Sequence, residues 1–398
     1  MNDPTRRALV SHALAAVGMS LPWPLLLLVV WEQTSDGLLL GLAGAARMLP
    51  YVLFSWCAGR LADRVRRDRI VAWTLGARIV LLALAGVALG DGRTVVAVVA
   101  AAAAVAVATP AYPALAAGMP DAAGPRQRRA TDLLVTVEVA SFVVGPALGG
   151  LLLQPVARPL VPVLAVALTV AALALWRGVS LPAPLRGPGS GSRPAVVALL
   201  RASAPVRAAV ALVALVNLVL AATALALLPL AEDGWGAGGS AYGLATGALG
   251  FGALAAPLLA RTGRDNGGRI TSGLLLMVAC GVAVTLSPAA AAAMVPLALA
   301  GAAAVVVESA ATGVIQEHAP DQVRATVLGV TDTAMVAAAM AGTLLAPLAA
   351  DMVGPRVLLA GAAVLCLVGL PAVRSVREGG AAVEMPVVVT RHRSAAIR

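Results

Sequence analysis

The chain has 398 residues, of which 60% are apolar and only 12% charged. That is enough for about twelve membrane-spanning helices of ~20 residues each. A soluble globule of this length cannot hide so much apolar surface, and secreted disulfide scaffolds and disordered chains are excluded by the same figures. The net charge is +10, every basic residue is Arg and none is Lys, so the placement of the arginines has to decide between nucleic acid and membrane.

Apolar runs bounded by charges or Gly/Pro clusters predict twelve spans. They cover residues 8–31, 38–58, 70–89, 94–117, 129–153, 159–179, 206–230, 240–260, 270–287, 289–313, 325–349 and 355–375. The expected fold is therefore an all-α membrane protein. The first run follows Arg6 and Arg7, but it is too long for the apolar region of a signal peptide, so we expect no cleavage. Only Ser287 and Pro288 separate spans 9 and 10, the least secure boundary.

Of the 29 arginines, Arg47 and Arg78 fall inside spans, and Arg93, Arg158 and Arg356 fall on odd-numbered connections. The other 24 lie on even-numbered connections or the termini. The positive-inside rule then puts both termini in the cytoplasm, in a plasma or inner membrane. The charge faces anionic lipid rather than nucleic acid. Trp31 and Trp235 fall at predicted outer ends, and Trp56, Trp73 and Trp176 at inner ends, as amphipathic rings prefer.

Residues 180–205, with their Pro, Gly and Ser, read as a flexible cytoplasmic linker between a 1–179 half and a 206–377 half. The tail 378–398 is read as disordered. Arg129-Ala130-Thr131 opens span 5 and Arg324-Ala325-Thr326 opens span 11, 195 residues later. That echo fits two six-helix halves related by a parallel pseudo-two-fold repeat. Cys57, Cys280 and Cys366, like His12, His318 and His392, are scattered, so neither disulfides nor a metal site is expected.

Gly59-Arg60-Leu61-Ala62-Asp63-Arg64-Val65-Arg66-Arg67-Asp68-Arg69 joins spans 2 and 3. It resembles the signature loop of the major facilitator superfamily, with Arg66 in place of a second Gly. The resemblance implies a cytoplasmic gate formed by Gly59, Asp63, Arg64 and Arg67, in which Asp63 meets a helix N-terminus or an Arg of the other half. Arg66 puts the tightness of the turn in question, and the matching second-half stretch, Arg261 to Arg269, reads as degenerate. Gly145-Pro146-Ala147-Leu148-Gly149-Gly150 in span 5 resembles the same superfamily's antiporter motif, where missing bulk and a missing donor let a helix bend and pack closely. Ala46-Arg47-Met48-Leu49-Pro50 and Arg78 resemble the branch of macrolide and siderophore exporters.

By depth, Arg47, Arg78, Glu138, Glu308 and Asp332 are intramembrane charges. Each costs ~2.5–3.5 kcal/mol on insertion scales, so they must pair, face water or become neutral. Family architecture lines the cavity with spans 1, 4, 7 and 10. It therefore implies Glu308 as first choice for proton coupling, then Asp332 and Glu138, with Arg47 and Arg78 as counter-charges. Asp132, one turn into span 5, reads as a solvated or capping charge. Trp23, Tyr112 and Asn217 are candidates for the substrate cavity, and Pro22 and Pro24 around Trp23 predict a bend.

The expected function is proton-coupled export, by antiport, of a small apolar or amphipathic compound such as a drug or natural product. The proton gradient supplies the energy and no cofactor is expected. The expected partners are substrate, protons and the bilayer, with no nucleic acid, for a monomer. Import of a polar solute would need more polar cavity residues. A membrane enzyme acting on a lipid-linked substrate would need a catalytic cluster that the sequence lacks.

Overall fold

The structure, a computed structural model, describes residues 4–34, 37–152, 157–184, 192–236, 238–259 and 265–378. The first pass is two helices, α1 (Pro4–Ser20) and α2 (Trp23–Thr34), broken at Leu21 and Pro22 where the Pro pair predicts a bend. Then come α3 (Gly37–Ala62) and α4 (Arg67–Gly90). The fourth pass is α5 (Thr94–Ala108) and α6 (Ala111–Ala123), broken at Pro110. α7 (Gln127–Leu151) and α8 (Leu160–Trp176) complete six passes.

α9 (Arg193–Ala202) precedes α10 (Ala204–Pro229), which a π turn extends. α11 (Gly238–Gly252), a 3-10 turn and α12 (Ala256–Leu259) make the eighth pass. α13 (Asn266–Leu286), α14 (Ala290–His318) and α15 (Asp321–Val353) follow, and α16 (Pro355–Leu365) with α17 (Leu370–Glu378) forms the last. The boundary at Ser287 and Pro288 holds, because α13 stops at Leu286 and α14 starts at Ala290.

Among the described residues, eight segments are long and apolar enough to cross a bilayer, and one of these, Thr94–Ser141, spans two passes. Leu160–Trp176 and Leu244–Leu259 are shorter apolar helices, and α3 supplies the remaining pass, which gives the twelve of the predicted fold.

The connection read as a flexible linker differs in part. Residues 193–202 form α9, because Ser192 caps it by accepting from Ala195 N and Pro194 sits in the first turn. Val196 and Leu199 are fully buried against α10 and α15. Residues 185–191 of the linker and 379–398 of the tail lie outside the described residues.

The helix pairs repeat. α1 packs on α7 and α8 as α10 packs on α15, α16 and α17. α4 packs on α5 and α8 as α13 packs on α14 and α16, and α3 meets α5 as α11 meets α14. Each pair of the first six passes thus has its counterpart six passes later, the parallel repeat that the 195-residue echo suggests.

The start of α1 and the end of α17 lie on one face, termed the terminal face, and the other is the distal face. Arg7 Nη2 donates to Leu175 O at the end of α8 (3.0 Å), and Arg377 Nη2 to Thr271 Oγ1 at the start of α13 (3.2 Å). Trp176 Nε1 donates to Asp68 O (3.0 Å) on the terminal face and Trp235 Nε1 to Ser287 O (3.2 Å) on the distal one. The halves meet where α3 lies along α15, α6 meets α15, and α7 meets α11, α12 and α14.

Candidate functional site: two terminal latches and a central polar layer

The Gly59–Arg69 loop crosses between the halves. Asp63 accepts from Ala325 N (2.9 Å), Thr326 N (2.7 Å) and Thr326 Oγ1 (2.5 Å) at the start of α15. The carboxylate thus caps the positive end of a helix from the other half. Gly59 makes this possible, since a Cβ there would stand 2.6 Å from Thr326 Cα. Arg67, fully buried, donates to Asp321 Oδ1 (2.7 Å), and Arg324 bonds Asp321 Oδ1 (3.3 Å) and Ala117 O (3.2 Å). Arg64 is exposed. Arg66 has φ −55°, a conformation open to any residue, and pairs in solvent with Asp68 at 2.8 Å. The departure from the family pattern therefore leaves the turn tight.

Burial outweighs those three donors at Asp63 and raises its carboxyl to about 6 from the ordinary value of 3.8. An acid raised in the latched state and ordinary in an unlatched, solvated state binds its proton more tightly when latched. Acidification from pH 6 toward pH 4 therefore favours the latched state, and that advantage is lost as pH rises through 6. Two units amount to roughly 3 kcal/mol. Distances between spin labels on the two halves of the terminal face, followed from pH 8 to pH 4, should shorten on acidification. Asp63→Asn should remove that dependence, and a pH-independent wild type would refute it.

The second half has its own latch. Arg269 stands four residues after Asp265, as Arg67 stands four after Asp63. Asp265 caps α13 through Gly268 N (3.1 Å), while Arg269, buried, reaches across to Asp132 and to Ser309 Oγ (3.0 Å). Two readings are corrected. Asp132 is not a solvated charge but a buried ion-pair partner, and the stretch ending at Arg269 keeps its working Arg while Arg261 and Arg264 lie outside the described residues. Thr131 Oγ1 donates to Gln316 Oε1 (2.8 Å), whose Nε2 donates to Ala116 O (2.8 Å). Thr131 and Thr326, the two threonines of the sequence echo, thus both bond across the halves.

The antiporter motif packs on the broken first pass. A Cβ on Gly145 would meet Val17 O at 3.1 Å and Leu21 N at 3.2 Å, and one on Gly149 would overlap Leu21 O. Its two described glycines hold α7 against the break between α1 and α2. The side-chain surroundings of Pro146 and Gly150 lie outside the described residues.

A polar layer fills the middle of the molecule. His12, Tyr51, Arg78, Tyr112, Glu138, Asn217, Glu308 and Asp332 stand 8–13 residues from the terminal-face ends of their helices, ~12–20 Å deep, and Arg47 stands slightly deeper. His12 Nε2 lies 2.7 Å from Glu138 Oε2, and its ring is 6.3 Å from that of Tyr112. Tyr112 is hydrogen-bonded to Thr312 across the half interface, and Asn217 to Glu308. Glu138, Glu308 and Asp332 lie within electrostatic reach of one another. Among the described residues, no hydrogen bond or ion pair reaches the buried Asp332 carboxyl.

The expected counter-charges sit otherwise. Glu138 has an imidazole, His12, as its hydrogen-bonding partner rather than an arginine. Arg78, buried, donates to Ala108 O (3.5 Å), and Arg47 Nη2 to Ser20 Oγ (3.5 Å). Tyr51 lies between these two and the acids, within reach of Arg47, Arg78, Glu138 and Asp332. Trp23 leaves the candidate cavity, because its ring is buried in a cluster with Val30, Ala85 and Val105 inside the first half. His12 and Tyr51 were missed. The available signal for both was depth, a polar group in mid-span, applied to carboxylates and guanidiniums but not to these two.

The cross-half hydrogen bonds and ion pairs named above lie between this layer and the terminal face. Val135 of α7 packs on Ala253, Ala256, Val305 and Val306 in the same zone. The halves are thus joined on the terminal side of the layer.

Three solved structures share this architecture. The human organic anion transporter MFSD10 (TETRAN) aligns over 93% of this chain and 98% of its own, at 15% identity and a TM-score of 0.74. A bacterial homologue of the iron transporter ferroportin in the outward-facing state aligns over 94% and 100%, at 17% identity and 0.72. The E. coli fucose:proton symporter FucP in the outward conformation aligns over 93% and 98%, at 15% and 0.75. At such identities the likeness is one of fold. No curated protein sequence matches the chain. The family model described as the Major Facilitator Superfamily matches residues 8–343, and that family's members are transporters rather than enzymes. The chain is a multi-pass membrane transporter that belongs to the major facilitator superfamily.

Proposed function

We propose that the protein exports a small apolar or amphipathic compound, such as a drug or natural product, in exchange for protons by alternating access. The observation that carries this reading is the central layer. Three carboxyls stand at mid-depth at the joint between two repeated halves, and the cross-half hydrogen bonds and ion pairs described above lie on its terminal side. Glu308 and Asp332 take the proton. Glu308 has one amide partner and Asp332 none among the described residues, so a proton on either costs no ion pair. Glu138 shares its site with His12. The terminal face is cytoplasmic, as 24 of 29 arginines imply, and residues 1–179 and 206–377 move as the two halves of a monomer in the cytoplasmic membrane. Latches at Asp63 and Arg269 hold the cytoplasmic side shut while the cavity faces outward. Opening them presents Tyr112, Asn217 and the surrounding Ala, Val and Leu side chains to the substrate.

The test is uptake of a fluorescent amphipathic dye into inside-out vesicles under an imposed pH gradient. Glu308→Gln, Asp332→Asn and Glu138→Gln should each lower gradient-driven transport by about tenfold or more, an effect of ~1.4 kcal/mol. Undiminished transport in all three variants would defeat the coupling scheme.

A further inference from the structure

On the distal side of the first half, α2, α4 and α8 enclose an apolar groove of about 620 Å³. That lies in the range of small-molecule sites. Its floor is a strip on α4 with little side chain, Ala83, Gly86 and Gly90, which recur at helical spacing on one face. Leu25 of α2 and Pro162 of α8 form its walls. A Cβ on Gly90 would meet nothing within 4 Å, so the groove is open there.

The repeat supplies an internal control. Gly281 on α13 is the counterpart of Gly86, 195 residues on. A Cβ on Gly281 would stand 2.6 Å from Ala363 Cβ and one on Gly86 2.7 Å from Pro162 Cβ, so the two junctions are equally tight at this level and differ toward the distal mouth, where Gly90 is matched by Thr285. Arg356, on the same distal face, is turned onto Ser287 O (3.1 Å) and Thr285 O.

One polar group lines the groove. Arg158, at its distal mouth, faces Glu32 in a two-pronged pair of 3.0 and 2.9 Å. The rim therefore presents one guanidinium and one carboxylate side by side above an apolar slot. Both are partly exposed, at 29% and 44% of their side-chain surface. That arrangement is the complement of a zwitterionic headgroup, whose phosphate and ammonium match the guanidinium and the carboxylate in charge.

We propose that the groove holds one acyl chain of an amine-bearing zwitterionic phospholipid from the distal leaflet. Its phosphate meets Arg158 and its ammonium meets Glu32. This site is separate from the central layer and does not depend on which substrate or ion the transporter moves.

The test is native mass spectrometry of the purified full-length protein. Phosphatidylethanolamine is added in competition with phosphatidylcholine and with phosphatidylglycerol of the same chains. Wild type should retain phosphatidylethanolamine over both. Gly90→Leu, and separately Ala83→Leu, should lower retention by about tenfold, with lipid-free thermal midpoints unchanged. Glu32→Gln should erase the preference over phosphatidylcholine, whose quaternary ammonium donates no N–H, while Arg158→Gln should weaken all three. Equal retention of the three lipids by wild type, or undiminished retention in the two groove-filling variants, would overturn the proposal.

Discussion

Arg269→Ala should open the terminal face. In the latched state the substitution leaves Asp132 buried without its guanidinium and Ser309 Oγ without its donor. Removing one member of a buried ion pair costs ~3–5 kcal/mol, chiefly through the stranded charge. Once the halves part, water reaches Asp132 and that penalty disappears. The whole cost therefore falls on one side of the conformational equilibrium, and at 1.4 kcal/mol per tenfold it shifts the ratio by roughly a hundredfold or more. Spin labels at the exposed positions 69 and 374, one in each half, report the separation. The long-distance population should dominate in Arg269→Ala and be minor in wild type. The pair Asp132→Leu with Arg269→Met should restore the short distance, because an apolar pair of similar size replaces the ions without stranding either. Unchanged distances in the single variant would show that this contact does not hold the face closed.

How much of this was legible in the sequence depended on whether the signal was local. Spans were legible because apolar runs and Arg-rich connections are properties of contiguous residues. The Asp63 gate was legible because its parts lie in one loop: Gly59 for close approach, Asp63 for the dipole and Arg67 one turn on. Asp132 and Arg269 were not, since they lie 137 residues apart and neither announces the other. Only the shared four-residue spacing of Asp63–Arg67 and Asp265–Arg269 marked the second loop as a copy. Pairing inside the membrane was equally obscure. Depth singled out Arg47, Arg78 and the three acids, and the structure places all five near the middle of their helices. Which faces which depends on helix rotation, which the nearly uniform Ala, Val and Leu content of these spans leaves unspecified. So Trp23, between two prolines, packs into the first half rather than the layer, and the partner of Glu138 is a histidine.

That histidine separates two roles that single variants of the acids alone would merge. His12→Gln removes a partner 2.7 Å from Glu138 and leaves that carboxylate within reach of Glu308 and Asp332. Losing a buried, charge-assisted contact of this kind costs roughly 2–4 kcal/mol. We therefore expect His12→Gln to lower both the thermal midpoint and gradient-driven transport. Adding Glu138→Gln should return most of the stability, because two amides replace the stranded charge, but not the coupling. Asp332→Asn should behave in the opposite way. Its carboxyl has no described partner to lose, so an isosteric amide should leave stability within about 1 kcal/mol of wild type or raise it. Gradient-driven transport should nevertheless collapse, while exchange of labelled for unlabelled dye at equal pH continues, since that reaction needs the cavity and the latches but no proton. The measurement is a paired one, of thermal midpoint and of driven against exchange flux, in the same four proteins. Asp332 would be a structural acid rather than a proton carrier if Asp332→Asn lost stability and both fluxes together. If His12→Gln kept wild-type stability and coupling, the imidazole would have no part in holding Glu138.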